Sequence, residues 1–214
     1  MLKKQTMKLY LKENLTLYVF VSVLFVVGVI FGAVMVNALS LEQKQDMSRH
    51  LGSFFQSVND GSSLDGKDSF FQTFGMHIRW VLLIWVLGLS IIGLPLILIL
   101  DFLKGVLVGF TVGYLVGQLS WKGMLFSLVS VAPQNLIIIP ALLICSVSAI
   151  SFSLYIIKFR LLQRKGSIHE PFMRHSGITL TAAAVLLAVA LFEGFISPHM
   201  MSWVTPILAA LYPG

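Results

Sequence analysis

Three histidines and one glutamate are the residues in this sequence whose types best suit chemistry. His50, His77, His199 and Glu193 all fall on one side of a membrane in the topology predicted below. Imidazole nitrogens and a carboxylate can bind a zinc ion if they converge in the fold. Their spacing follows no ligand pattern, so we predict no metal site, and nothing else in the sequence indicates a cofactor.

Glu193 is the one acid well inside a predicted apolar span, in the sequence LFEGFISPH. Acids at membrane depth are costly and often functional, although Glu193 lies about one helical turn from the predicted interface. Two interpretations stay open. Glu193 forms an ion pair or hydrogen bond, with Arg79 or Lys122 as the basic partner on the same side, or it belongs to a site for a partner or ligand.

Catalytic motifs are absent from the sequence. It contains no HExxH, no paired aspartates within a span, no serine motif with a plausible intramembrane histidine, and no nucleotide-binding loop. We therefore predict that the protein is not an enzyme. The net charge of +6 is explained by how the basic residues distribute about the membrane, and it indicates no nucleic-acid partner.

A break in an apolar segment offers a polar site of another kind. The sequence APQNLIIIP, residues 132–140, places Pro133, Gln134, Asn135 and Pro140 at membrane depth. Proline lacks a backbone donor and disfavours helical geometry in the residue before it, so we expect a helix to end here. Broken helices form binding sites in transporters, but Gln134 and Asn135 can also simply cap the broken ends.

Glycines at a spacing of four line two apolar segments. They are Gly105, Gly109, Gly113 and Gly117 in one segment, and Gly28 with Gly32 in the first span. Glycine faces let another helix backbone approach closely, which is how membrane helices pack where lipid supplies no hydrophobic drive. We predict that the four-glycine stripe, a glycine zipper, packs within the chain. The pair in the first span has two interpretations, packing within the chain or a homodimer contact.

Transmembrane helices are the elements that must position these residues. Hydrophobic residues make up 57% of the 214 residues and charged residues 11%, whereas soluble domains carry about a quarter charged residues. Several uncharged stretches have roughly the 20 residues that cross a bilayer. The predicted fold is an all-α polytopic membrane protein, with a single integral membrane domain over residues 1–214.

Five spans are predicted, together with a short re-entrant half-helix over about 121–133 and an external amphipathic helical loop over 39–79. The spans cover residues 16–38, 80–100, 103–120, 136–157 and 176–197. The 41 residues from Trp80 to Ser120 are divided, because one helix of that length would extend about 60 Å. We place the turn at Asp101 and Lys104.

Basic residues set the predicted orientation. Lysines precede the first span, and the segment from Lys158 to Arg174 carries five basic residues. Basic loops favour the cytoplasm, so the segment from Trp121 to Arg160 should cross the membrane only once. This places the N-terminus in the cytoplasm and the C-terminus outside.

The predicted external loop carries helix signals. Ser40 and Gln43 resemble a capping box, and apolar residues follow at helical spacing. Asp68 is expected to begin a second helix that leads into the second span. The apolar faces of both helices must rest on the membrane, on the bundle or on a partner.

Three stretches of this chain closely resemble the stage II sporulation protein M family, in the same order and at comparable spacing. They are VLFVVGVIFGAVMVN, WVLGLSIIGLPLILILDFLKGVLVGFTVGYLV and SLVSVAPQNLIIIPALL. The most specific parts are GLP, the GVxVGFTVG run and APQNLIIIP. The similarity covers nearly the whole chain.

The resemblance implies a five-span protein of the cell membrane that acts when the mother cell of an endospore-forming bacterium engulfs the forespore. It implies a position at the sporulation septum and the engulfing membrane. It also implies a scaffold for two peptidoglycan-degrading partners, stage II sporulation proteins D and P, and not a hydrolase. We expect the membrane anchors of these partners to dock along the glycine-lined faces.

Other interpretations stay open. A permease-like transport subunit is the alternative if an aqueous cavity reaches Asn135. A zinc-dependent membrane enzyme requires the outer histidines to meet at one ion. A homodimer is also expected, because two helices with GxxxG motifs offer more small-residue faces than one five-helix bundle needs.

Overall fold

The computed structural model describes residues 14–59, 66–162 and 167–196, and these residues form helices without any strand. The helices are α1 (Leu15–Met35), extended by a 3₁₀ turn (Val36–Ala38), α2 (Leu41–Asn59), α3 (Gly66–Gly88), α4 (Gly93–Ser130), α5 (Ala132–Tyr155), which passes into π-helical Ile156–Leu162, and α6 (His169–Phe195). The N-terminal lysines and the predicted external C-terminus lie outside the described residues.

Five of the described helices are long and apolar enough to cross a membrane. They are Leu15–Ala38, Phe70–Gly88, Gly93–Ser130, Ala132–Phe159 and His169–Phe195. The predicted fold class, an all-α polytopic membrane protein with five spans, is therefore confirmed. The last helix begins at His169, ahead of the predicted residue 176. The negative charge of Glu170 in its first turn stabilises this earlier start, because the N-terminal end of the helix dipole is positive.

The turn between the second and third spans differs from the prediction. α3 ends before residues 89–92 and α4 begins after them. The turn predicted at Asp101 and Lys104 is therefore wrong. The predicted span 80–100 is divided between α3 and α4, and the span predicted over 103–120 lies wholly within α4.

Glycine and proline explain where the chain turns. A Cβ on Gly93 would lie 1.8 Å from the Leu87 carbonyl oxygen, so only glycine allows this close return of the backbone. The turn is closed by the Ser90 N–H, which donates to the Leu87 carbonyl, and by the Gly93 N–H, which donates to the Ser90 carbonyl. Pro95 lies in the first turn of α4, where its missing N–H costs no helical hydrogen bond.

α4 is itself divided at Ser120, whose φ of 50° and ψ of −129° are not helical. We call residues 93–119 the long segment of α4 and residues 121–130 the half-helix. A Cβ on Gly123 would lie 1.9 Å from the Leu115 carbonyl oxygen. The half-helix therefore packs directly back against the end of the long segment.

The break after the half-helix falls at Val131, ahead of the predicted break at Pro133, Gln134 and Asn135. These three residues begin α5 instead of interrupting it, since α5 starts at Ala132. Proline is favoured in the first turn of a helix, because the N–H that it lacks has no helical partner there. The fourth span consequently starts earlier than predicted.

The predicted capping box is present at the start of α2. The Ser40 N–H donates to Gln43 Oε1 at 2.9 Å, and the Gln43 N–H donates to Ser40 Oγ at 3.2 Å. α2 lies against the bundle, because the Tyr114 hydroxyl donates to the Lys44 carbonyl at 3.3 Å and Leu51 packs beside the half-helix. The second helix predicted in this loop is the beginning of α3.

α5 is the central helix of the bundle. It packs against α1, α3, α4 and α6, and 61% of its apolar stretch is buried, compared with 17–33% in the other four spans. The main core cluster contains side chains from all five spans. Side chains on α5 are therefore best placed to join the other helices.

Candidate functional site

Glycines of α1 and α4 face one another in a single helix pair. A Cβ on Gly28 would lie 2.4 Å from the Phe102 carbonyl oxygen, and one on Gly105 would lie 2.3 Å from the Phe25 carbonyl oxygen. The corresponding shortest distances are 2.1 Å at Gly32, 1.9 Å at Gly109 and 2.9 Å at Gly113. α1 and α4 therefore pack backbone to backbone within the chain.

Gly117 is the exception in the stripe, because a Cβ there would meet nothing within 4 Å. The faces of Gly28 and Gly32 are covered by α4, so they are not available to a second copy of the chain. A homodimer stays a prediction, and it requires a different surface from the one expected.

Asn135 caps the broken helix. Its Nδ2 donates to the Val131 carbonyl at 2.8 Å, and its backbone N–H donates to the same oxygen at 3.3 Å. The side chain of Asn135 therefore adds a second hydrogen bond at the break, which agrees with the interpretation that Asn135 hydrogen-bonds to the broken end. Pro140 lies inside α5, and Gln134 lines a groove on another side of the helix from Asn135.

Three grooves surround the first part of α5. Groove A, of about 540 Å³, lies between α2, α4 and α5 and is lined by Met47, Tyr114 and Gln134 among others. Groove B, of about 620 Å³, lies between α4 and α5 and contains Asn135. Groove C, of about 770 Å³, lies between α5 and α6 and contains Arg174. Apolar side chains form most of each lining.

Residues 132–140, which we call the exposed half of α5, separate these grooves. Leu136 is 77% exposed and lines both groove B and groove C, and Ile137 is 49% exposed. Ile138 is the one buried residue in this half. Because Asn135 is almost the only polar group in groove B, this groove suits an apolar helix or a hydrocarbon chain better than water.

Glu193 pairs with His77. His77 Nε2 lies 3.0 Å from Glu193 Oε2, and the two side chains are 3% and 14% exposed. The predicted basic partners, Arg79 and Lys122, are exposed, so this part of the prediction is wrong. Side chains two residues apart on a helix point in nearly opposite directions, which leaves Arg79 outside when His77 is buried.

The candidate metal ligands do not meet in the described part of the chain. His50 lines groove A, whereas His77 lies beside Glu193. No group of three His, Cys, Asp or Glu side chains that could hold a metal ion occurs among residues 14–59, 66–162 and 167–196. His199 lies outside these residues.

Asp101 is a buried acid whose position the sequence analysis missed. It is 4% exposed, and its Oδ1 accepts a hydrogen bond from Ser146 Oγ at 2.7 Å. Oδ2 is buried and has no hydrogen-bond partner among the described residues. Lys104 lies one turn further along α4, with Nζ 5.7 Å from the centre of the Trp80 ring. The turn signals at residues 88–93 could have shown that both charges lie inside a helix.

Four serines of α5 join it to the four other spans. The pairs are Ser146 with Asp101 on α4 (2.7 Å), Ser148 with His175 on α6 (3.0 Å), Ser153 with the Gly88 carbonyl at the end of α3 (2.8 Å), and Ser151 with Asn14 before α1. Serine occupies little space and forms hydrogen bonds between helices at membrane depth. The run CSVSAISFS was the available signal.

The chain matches a known protein family. The family model described as stage II sporulation protein M matches residues 21–198. No curated protein and no solved structure matches the chain. The matched range contains both sets of glycines, the break at Val131 and all four serines of α5.

Proposed function

We infer that this chain, which belongs to the stage II sporulation protein M family, is a non-catalytic membrane scaffold. The family match and the five apolar helices identify an integral membrane protein of sporulation. In this proposal it assembles two peptidoglycan-degrading partners, stage II sporulation proteins D and P. They act together at the septum and at the mother-cell membrane that engulfs the forespore.

The exposed half of α5 is the observation that carries the proposal. This helix is central to the bundle, yet among residues 132–140 only Ile138 is buried, Leu136, Ile137 and Pro140 are exposed, and a groove lies on each side. The glycine faces expected to receive partner anchors are covered within the chain, except at Gly117. Partner docking in our proposal therefore uses grooves B and C.

The occupant that we propose for grooves B and C is the transmembrane helix of a partner protein. Leu136 and Pro140 line both grooves, so one helix lying along α5 can contact the two linings together. Pro140 presents no large flexible side chain, which reduces the entropy lost on association. When two partners bind one scaffold, the effective concentration of each near the other rises, although the scaffold itself catalyses nothing.

The orientation in this proposal follows the positive-inside rule. The N-terminus and the segment from Lys158 to Arg174 lie in the cytoplasm, and α2 and the C-terminus lie outside. The amphipathic helix α2 then extends the scaffold on the side where the cell wall is degraded.

Co-purification from membranes of sporulating cells tests the scaffold. Leu136→Trp fills parts of grooves B and C, and we expect recovery of the D and P proteins with the tagged chain to fall about tenfold. The matched control is Leu180→Trp, since Leu180 is 74% exposed on α6 and lies outside the three grooves.

Two results would contradict this proposal at different levels. Equal recovery of the partners with both variants would show that the docking surface is wrong. D and P proteins that stay assembled after deletion of this protein would show that the scaffold role is wrong.

The buried carboxylate of Asp101 favours a second candidate function, that of a transport subunit. The polar site expected for that function at the break is a capped helix end beside an apolar groove. A transport role would instead use the interior of the bundle, where Asp101 lies.

A further inference from the structure

Groove C combines a positive charge at one end with an apolar body. Among the described residues that line this groove, Arg174 alone is charged, and Thr181 is the one other residue with a polar side chain. The Thr181 hydroxyl is already used, since it donates to the Gly177 carbonyl at 2.8 Å. Apolar side chains of α5 and α6 form the rest of the lining. This distribution fits an amphiphile that has an anionic head and a hydrocarbon tail.

Arg174 lies near the end of its helix. α6 begins at His169, so Arg174 is about 8 Å from that end at 1.5 Å per residue. Its side chain is exposed, and the apolar stem of an arginine lets the guanidinium extend towards the membrane surface. A guanidinium has five N–H donors in a planar fork, which suits two phosphate oxygens. Arg174 can therefore bind a phosphate in addition to its interactions within the chain.

Glu170 is the acid that precedes Arg174 on α6, one helical turn away, and its charge opposes the binding of an anion. Both side chains are exposed, so solvent weakens the field of Glu170 at this position. The positive end of the α6 dipole offsets part of that charge, because Glu170 lies in the first turn. The positive charge of Arg174 therefore decides which ligand this end of the groove attracts.

The apolar body of groove C has the length of one acyl chain. Its lining on α6 continues from Arg174 to Val185, which is about 17 Å along the helix axis. Half of the hydrocarbon core of a bilayer measures about 15 Å. An acyl chain whose phosphate lies at Arg174 therefore ends near Val185, at the middle of the membrane. Ile144 and Ala141 on α5 form the opposite wall.

Gly177 keeps the groove open beside its charged end. A Cβ at this position would meet no atom within 4 Å, so the packing of the bundle does not require glycine here. Gly109 differs, because a Cβ there would lie 1.9 Å from the Val29 carbonyl oxygen. Glycine is less favourable than alanine inside a helix. The space in front of Gly177 is thus available to a hydrocarbon chain.

We propose that groove C binds an anionic phospholipid, with the headgroup phosphate on Arg174 and one acyl chain between α5 and α6. In the proposed orientation this end of the groove faces the cytoplasm, where anionic lipids give the leaflet a negative surface potential. Basic pockets between transmembrane helices on that side of a membrane bind anionic headgroups. The lipid occupies groove C in the chain without partners, and a docking helix takes its place.

Native mass spectrometry of the purified full chain tests the charged end. The protein is released from micelles that contain equal amounts of phosphatidylglycerol and phosphatidylcholine with identical acyl chains, and the bound lipids are identified by mass. We expect phosphatidylglycerol to be retained about tenfold more than phosphatidylcholine, whose choline neutralises the phosphate charge. Arg174→Gln should abolish this preference. Lys158→Gln is the matched control, because it removes an exposed positive charge outside the three grooves.

Gly177→Phe tests the apolar body of the groove independently. The position is open, so the variant should fold, and the new ring fills the space of the acyl chain. We expect retention of phosphatidylglycerol to fall about tenfold although Arg174 is unchanged. Gly117→Phe is the matched control, since a Cβ at Gly117 also meets nothing within 4 Å and Gly117 lines none of the grooves. Thermal unfolding midpoints in detergent verify that both variants are folded.

Three results would overturn the lipid site. The wild-type chain would retain both lipids equally, or Arg174→Gln and Lys158→Gln would lower the preference by the same factor, as general attraction to a basic surface predicts. In the third result, Gly177→Phe would retain phosphatidylglycerol as well as Gly117→Phe does. The D and P proteins are absent from this experiment, so the scaffold proposal stands or fails separately.

Discussion

The two halves of α5 differ in how far they are buried and in what they contact. In residues 141–153 every side chain is buried except at Leu143, Ile144 and Ser151, and serines bond to all four neighbouring spans. In residues 132–140 only Ile138 is buried, and three grooves surround the helix.

Side-chain size and hydrogen bonding account for the difference. Small residues and hydroxyls let neighbouring helices approach and bond, which is what membrane helix pairs need. Bulky Leu and Ile side chains, together with two prolines, hold the neighbouring helices away from the other half. A single helix can therefore anchor a bundle at one end and present an apolar surface at the other.

Close glycine packing should give the largest effect of substitution. Gly109→Leu places a side chain where a Cβ alone would lie 1.9 Å from the Val29 carbonyl oxygen. We expect separation of α1 from α4 and a loss of more than about 3 kcal/mol in the free energy of unfolding. Gly117→Leu is the matched control, because that position is open. Thermal unfolding in detergent measures both, and similar midpoints for the two variants would refute backbone packing at Gly109.

Truncating one leucine in each half of α5 compares the halves directly. Leu142 is 4% exposed and Leu136 is 77% exposed. Leu142→Ala leaves a cavity and should cost about 2–3 kcal/mol of unfolding free energy, whereas Leu136→Ala should change it by less than about 0.5 kcal/mol. Denaturant unfolding in mixed micelles gives both values. A large loss for Leu136→Ala would mean that the exposed half is also part of the core.

Removing one serine hydroxyl should give a smaller effect. Ser148→Ala takes away the partner of His175 Nδ1, and we expect a loss of about 1 kcal/mol in unfolding free energy. Thr181→Ala is the control, because the Thr181 hydroxyl bonds to the Gly177 carbonyl at an exposed position and should matter by less than about 0.5 kcal/mol. Denaturant unfolding in mixed micelles measures both losses. If the two substitutions lower the free energy of unfolding equally, the serines do not join the spans as described.

Local signals predicted much of the fold. Hydropathy predicted five spans, the capping box at Ser40 marked the start of α2, and proline at position 133 predicted a break that lies close by at Val131. The wrong turn has a clear cause. Two charges in an apolar run predict a membrane surface at Asp101 and Lys104. Asp101 is instead buried and hydrogen-bonded to Ser146, which lies 45 residues further along the chain. The sequence did not identify His77 as the partner of Glu193. Which face of α3 is buried depends on the neighbouring helices, and no local pattern in the sequence identifies them.

The sequence by itself determined the number of spans, the neighbourhood of the break before α5, and the residues small enough for close helix contact. Hydropathy, proline and glycine act locally, so they can be interpreted without the fold. Only the tertiary structure decided that Gly28 meets Gly105 within one chain, that Asp101 is buried, and that one half of α5 is only partly covered. Each of these depends on contacts between residues far apart in the chain, which are set by how whole helices pack.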